Sequence, residues 1–355
     1  MPGSYAMNNR ERALCALHGN TPDMVPIFEL HIDEKVRRGM CSGCSYEDFV
    51  ELFDFDIAMT GTPSDNYRMK PLDRESRIYR DEWGVVRQFS DQAVSFPMEG
   101  PIKSERDLDI YTPPDPCDPY RFRSLITLVE RFRGKRLIGM HVHDAFSYPS
   151  YLRGMDTLLM DLIDNPGLVH RLVDISVDHS VKLMKRAVEL GAELFVFGDD
   201  YAGTKGPFMS PDHFREFFLP GIQEVVRAAK EMNTLVIKHT DGNIKPILPM
   251  IVDTGIDGLH PLDPVAGMDI AAVKKAHGDR ICVIGNIDTG KVLSDATTIE
   301  VEENVRRIIE QAAPGGGYII SSANSIHVKV KPDNYAAMLR AARRYGNYAH
   351  LGTSA

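Results

Sequence analysis

The residues best suited to chemistry lie in short polar clusters, each ending an apolar run. In "VIKHTDGNI", residues 236–244, the run stops at His239, Asp241, Gly242 and Asn243. His239 and Asp241 are two apart, so on a strand both side chains face the same side of the sheet. A nitrogen and a carboxylate placed this way can chelate a divalent metal. They can equally make a histidine oriented by a carboxylate for proton transfer. Gly242 lets the backbone turn sharply just after them. "FGDDYAGTKG" follows the same logic, with one carboxylate aimed at a site and its neighbour capping the turn or pairing with Lys205. Asp200 is the expected functional member.

The pattern recurs along the chain. Glu29 and His31 end one run, His141 and His143 another, and His260 with Asp263, Asn286 with Asp288 and Asn324 with His327 end three more. A lone polar residue at a strand end is ordinarily a satisfied turn residue. Recurrence at equivalent places aims many of them at one volume, and that convergence points to an enzyme. The expected roles are proton transfer for Asp200, His141 and His260, and substrate contact for His31, His143, Asn286, Asn324 and His327. His239 and Asp241 are the expected metal ligands, with Glu29 as a third.

The elements that position these groups are eight apolar runs, starting at Val25, Phe55, Leu137, Leu194, Leu235, Gly255, Ile281 and Tyr318. Each is short, bounded by turn residues and separated from most of its neighbours by amphipathic helical stretches, as buried parallel strands are. Eight strands alternating with helices predict a (β/α)₈ barrel, whose active site forms at the C-terminal ends of the strands. The expectation is one barrel domain over residues 1–355, with an excursion at about 62–136 between the second and third strands. Within it, residues 78–101 alternate apolar and polar around Trp83-Gly84 and Ser90-Asp91, which predicts antiparallel strands beside or across the barrel mouth. A doubly wound open sheet is the alternative, but no G-x-G-x-x-G turn follows the first run.

Composition narrows the function. The formal charge of -9 leaves no basic footprint for nucleic acid or an anionic membrane. No apolar run approaches the roughly 20 residues that cross a bilayer, and the N-terminal residues lack a signal-peptide core. Five cysteines do not make a disulfide framework, so a cytoplasmic location is expected. Cys41 and Cys44 form one isolated C-x-x-C, which reads as a pair of ordinary loop cysteines dispensable for metal.

Four stretches carry a family resemblance: "NNRERALCALHGNTPDMVPIFEL", "SPDHFREFFLPGIQEVVRAAKE", "HTDGNIKPILPMIVDTGIDGLHPLDP" and the run from "GNIDTGKV" to "AARRYG". Over nearly the whole chain the sequence resembles uroporphyrinogen decarboxylase-like proteins. The resemblance implies a (β/α)₈ barrel and one of two chemistries, metal-free decarboxylation of a porphyrinogen or cobamide-dependent methyl transfer, usually with zinc. The decarboxylases carry an arginine-rich stretch after the first strand, suited to a polycarboxylate. Here "FELHIDEKVRRG" places Glu29, His31, Asp33 and Glu34 there, and Arg37 and Arg38 come too late to match. Thiol-directed methyltransferases of the superfamily hold zinc with His-x-Cys and a distant Cys. His239 matches the histidine, Asp241 the first cysteine and Asn324 the second, so oxygen donors replace both thiolates. A harder site suits an oxygen-containing substrate. The resemblance therefore implies methyl transfer from a small O-methyl donor to a corrinoid protein, assisted by zinc. A metal-free lyase acting on a porphyrinogen or smaller carboxylate, and a non-catalytic barrel binding a small molecule or corrinoid partner, are the other readings.

Overall fold

The computed structural model describes residues 6–61, 69–90 and 95–351. Residues 62–68 and 91–94 of the expected excursion, Asp91 included, lie outside the described residues.

In chain order the strands are β1 (Ile57–Gly61), β2 (Lys70–Asp73), β3 (Ile78–Arg80), β4 (Val86–Gln88), β5 (Phe96–Glu99), β6 (Leu137–Val142) and β7 (Leu194–Gly198). They continue with β8 (Ala202–Gly203), β9 (Gly206–Pro207), β10 (Leu235–His239), β11 (Gly258–His260), β12 (Cys282–Ile284) and β13 (Tyr318–Ile319). A curled parallel sheet runs β1-β6-β7-β10-β11-β12-β13, an α/β arrangement of TIM-like form. Seven of the eight apolar runs supply its seven strands.

The run at Val25 is the exception. It forms isolated bridges rather than a strand. Pro26 has no N–H to give to a ladder, and the Ile27 N–H is taken by the Asp56 carboxylate at 2.7 Å instead of a backbone carbonyl. The segment still touches both sheet edges. Phe28 N–H donates to the Ile320 carbonyl at 3.1 Å, and Asp56 N–H to the Ile27 carbonyl at 3.1 Å.

Alternation along the strands separates two apolar layers. Phe28, Ile57, Met59, Leu137, Leu194, Val196, Ile237, Cys282, Ile284 and Ile319 pack together inside the curl. The intervening residues, such as Ile138, Phe195, Val236 and Leu259, face the surrounding helices. The helix Asn9–Leu17 adds Ala13, Ala16 and Leu17 to the inner layer at the N-terminal ends of the strands. That end is plugged with apolar groups, which leaves the C-terminal end for polar ones.

The excursion folds as an antiparallel sheet, β2-β3-β4-β5. It docks on the helix Ser147–Arg153, which follows β6: Trp83 stacks on Tyr148 at 3.8 Å, and the Arg87 guanidinium lies 4.5 Å from the Tyr151 ring. The long amphipathic stretch after β6 is broken into Met155–Asp164 and Pro166–Leu190. Pro166 disfavours helical geometry at Asn165, and the Asn165 side chain instead accepts from Leu168 N–H to cap the second helix.

Candidate active site

The inward positions change character along the strands. Deep in the curl they are Leu137, Val196, Ile237 and Ile284; at the C-terminal ends they become His141, Gly198, His239, His260 and Ser321. Gly198 is the register partner of His239, and a Cβ there would overlap the His141 ring, so only glycine admits that histidine. Gly242 has φ +84, and a Cβ on it would overlap the Ala202 carbonyl.

His239 and His260 are register partners on β10 and β11, and their Nδ1 atoms lie 2.7 Å apart. His260 Nε2 faces Ser321 Oγ at 3.1 Å and the Ser322 carbonyl at 3.2 Å. A carbonyl only accepts, so His260 carries its proton on Nε2 and offers the Nδ1 lone pair to His239. Both rings are neutral. Burial pushes the His260 imidazole down to about 3. Burial, then the neighbouring His260 and His141, holds His239 well below its ordinary range. His239 therefore donates from Nδ1 and turns a lone pair on Nε2 outward.

That lone pair meets acceptors. Asp200 Oδ1 lies 3.7 Å from His239 Nε2 and Asp241 Oδ1 3.8 Å from it. Asp200, His239 and Asp241 each offer one ligand atom, all within 4.8 Å of one another. Asp241 Oδ1 is buried without a hydrogen-bond partner, while Oδ2 accepts from the Asn324 amide. Burial first, then the charges of Asp200 and Asp263, raises the Asp241 carboxyl well above the usual carboxylate range. Three convergent acceptors with one orphaned oxygen could hold a cation. The nitrogen and oxygen donors suit a divalent metal such as zinc.

Glu29 does not join this group. Its carboxylate accepts from Ser322 N–H at 3.1 Å and Ser322 Oγ at 2.5 Å, with Ser321 Oγ at 3.4 Å. Asp200, not Glu29, stands third beside His239 and Asp241. Through the two serines Glu29 instead backs the His260–His239 pair, as outer partners of metal-bound histidines commonly do.

A second histidine–carboxylate group occupies the same end of the sheet. His143 Nδ1 lies 2.7 Å from Asp199 Oδ1. Asp199 Oδ2 accepts from the backbone N–H groups of Asp144 (3.2 Å), Phe146 (2.8 Å) and Ser147 (2.9 Å). Burial would raise the Asp199 carboxyl, but the hydrogen bond and charge of His143, with Lys238, hold it well below its ordinary value. Asp199 thus caps the turn after β6 rather than its own, and its side-chain partner is His143 rather than Lys205. The His141 ring lies 5.2 Å from His143, and burial takes it down to about 3. Lys238, pointing outward between His239 and Ile237, bonds Asp144 Oδ2 at 2.6 Å and the Asp199 carbonyl at 2.9 Å, and Tyr201 donates to Asp144 at 2.5 Å.

The remaining expected residues are more scattered. His31 and Asn324 are exposed and His327 half-buried, with Ile326 N–H bonded to the His31 carbonyl. Asn286 donates to the Leu262 carbonyl at 2.9 Å and keeps a buried Oδ1 without a partner. Asp288 caps the turn at Gly290 and Lys291. Cys41 and Cys44 are disulfide-bonded to each other rather than loose loop cysteines, because the turn after the helix Glu34–Met40 brings their Cα atoms within 5.6 Å. Sequence reasoning missed Ser321, Ser322, Lys238 and the functional place of Asp199. Lys238 alone carried a signal, a charge within an otherwise apolar strand.

A family model described as Uroporphyrinogen decarboxylase (URO-D) matches residues 85–345. Uroporphyrinogen decarboxylase from Alkalilimnicola ehrlichii is 24% identical over 273 residues, 71% of this chain and 70% of that protein. Methylcobamide:CoM methyltransferase MtaA from Methanosarcina barkeri is 26% identical over 204 residues, 55% of this chain and 57% of that protein. The solved structure of a methyltransferase from Methanosarcina mazei shares the fold, with a TM-score of 0.74 at 19% identity over 96% of this chain and 99% of that one.

Proposed function

The chain belongs to the uroporphyrinogen decarboxylase (URO-D) family, and from that premise we propose that it is a methyltransferase rather than a porphyrinogen decarboxylase. It moves a methyl group from a small O-methyl donor to a corrinoid carried by a partner protein, in the cytoplasm. The reading includes a single (β/α)₈ barrel over residues 1–355, with residues 25–30 in the eighth place.

The observation that carries it is the convergence of the His239 Nε2 lone pair with Asp200 and the unpartnered Oδ1 of Asp241. His239, Asp241 and Asp200 would hold zinc, with Asn324 orienting Asp241. When bound, the metal supplies Lewis acidity to the donor oxygen. The chain's own residues do the rest: the His260 relay keeps His239 in the tautomer that ligates, and Ser321, Ser322 and Glu29 keep His260 in place. The apolar layer below denies water an approach from beneath. Against decarboxylation of a polycarboxylate, Arg37 and Arg38 are engaged with Glu34. MtaA is a relative by sequence, and uroporphyrinogen decarboxylases match equally well, so the reading rests on the site chemistry.

The test is metal content after purification without added metal, together with methylcobalamin formation from cob(I)alamin and anisole. Near-stoichiometric zinc with methylcobalamin formation is expected. A fully active, metal-free wild-type enzyme would overturn the reading, as would turnover of uroporphyrinogen.

A further inference from the structure

Breaking a methyl–oxygen bond toward a nucleophile leaves the electron pair on oxygen, and that oxygen needs a proton before the product can leave. The cation-facing side cannot supply it. With a cation held, Asp200, Asp241 and the His239 lone pair would be its ligands, and the Asn324 amide is engaged with Asp241. The proton has to come from another wall of the same mouth.

Resting on the methyltransferase reading, we propose that His143, oriented by Asp199, donates that proton from Nε2 to the departing oxygen. Its Nδ1 is tied to Asp199 at 2.7 Å, which leaves Nε2 as the working nitrogen. Among the described residues Nε2 has no hydrogen-bond partner, and the side chain stays 20% exposed. Three backbone N–H groups fix Asp199, so the orientation of the ring is over-determined. Tyr148 and Tyr151 meet the ring edge-on at 4.7 and 6.2 Å and limit its swing. His143 follows β6, and His239 ends β10, with β7 between them. Two strand spacings separate the two backbones by about 10 Å, and the His141 ring stands over Gly198 on the strand between them, so a small donor would lie above that ring, between cation and acid.

The step balances. The Co(I) lone pair of the corrinoid forms the Co–C bond, and the methyl–oxygen pair goes to oxygen. Oxygen takes the proton from the His143 imidazolium, and the neutral ring is reprotonated from solvent at its exposed edge. His143 is a catalytic residue in this scheme and Asp199 a positioning residue.

A series of anisoles whose leaving phenols differ in acidity, with cob(I)alamin as acceptor, tests the assignment in wild type, His143→Gln and His143→Ala. Without an acid, the poorest leaving groups suffer most. The variants are expected to lose about 100-fold with 4-methoxyanisole and far less with 4-nitroanisole, while keeping their zinc. Asp199→Asn is expected to show the same leaving-group pattern at lower amplitude, which general loosening of the fold would not select. Binding of 4-nitrophenol, followed by its visible absorbance, needs no turnover and should weaken about tenfold in His143→Gln. A uniform rate loss across the series, unchanged 4-nitrophenol binding, or loss of zinc would each overturn the role of His143 while leaving methyl transfer standing. A wild type that holds no zinc and methylates no cobalamin removes the parent reading, and this one with it.

Discussion

Two groups at the mouth use the same residue types and differ in saturation. Asp199 accepts one bond from His143 and three from backbone N–H groups. Asp241 accepts from Asn324 on one oxygen and from nothing on the other, 3.8 Å from a histidine lone pair. A saturated carboxylate is finished and can only orient its partner. A buried carboxylate oxygen without a donor, beside a second carboxylate and a lone pair, calls for a proton or a cation between them. Residue type alone does not separate the two groups; the count of donors around each carboxylate does.

The largest expected effect breaks this contrast from the cage side. His239→Ala should weaken zinc binding by more than about 100-fold, since removing a ligand exceeds the 10–100-fold cost of losing an outer partner. Asp241→Cys should retain zinc, thiolate being a strong ligand. Elemental analysis of the purified variants checks both. Zinc retained in His239→Ala would mean that the cage is not where the metal sits.

The dyad side rests on a fully buried ion pair. Lys238 and Asp144 are both 0% exposed and 2.6 Å apart, and Lys238 also holds the Asp199 carbonyl. Removing one member strands the other in a low-dielectric interior. Lys238→Met should cost about 3–5 kcal/mol in urea unfolding. Removing both, in Lys238→Met with Asp144→Leu, should cost less than the single change. If the single change proves harmless, the pair does not support the dyad.

Behind the cage, Glu29 provides a pH-dependent comparison. Burial raises its carboxyl to about 8, against opposing hydrogen bonds from Ser322 and Ser321; unfolded, it titrates near roughly 4.3. The folded state therefore keeps a proton that the unfolded chain releases. Its stabilisation is fully present below roughly pH 4.3, declines as pH rises, and is gone above about 8. Wild type should lose up to about 1.4 kcal/mol per pH unit relative to Glu29→Gln across that window. Parallel urea midpoints for the two proteins between pH 5 and 8 would show that Glu29 ionises freely.

Strand parity made much of this legible in advance. His239 and Asp241 share a face because they are two apart, and Asp200 continues the inward series of Leu194, Val196 and Gly198. The antiparallel excursion was readable from alternation around Trp83-Gly84. What depended on partners distant in sequence was not. The His239–His260 contact needs the register of β10 on β11, and the turning of Glu29 away from the cage needs Ser321 and Ser322, nearly three hundred residues later. The run at Val25 read as a strand because its side chains alternate correctly; Pro26 and the Asp56 carboxylate spoil its ladder, and only the second of these required a structure.

The smallest expected effect compares the mouth with the chain's other metal-like motif. Cys41 and Cys44 have the spacing of half a zinc site, but their sulfurs are bonded to each other, and the metal-type cluster among the described residues lies at Asp200, His239 and Asp241. A disulfide closing so short a loop restrains few unfolded conformations, so by loop entropy it contributes at most about 2 kcal/mol. Replacing both cysteines with serine should leave zinc content and methyl transfer unchanged and lower the thermal midpoint slightly. Elemental analysis beside a thermal melt makes the check. Loss of the metal with the fold intact would move the site from the mouth to the helix end at Met40, and the contrast between cage and dyad would lose its cage.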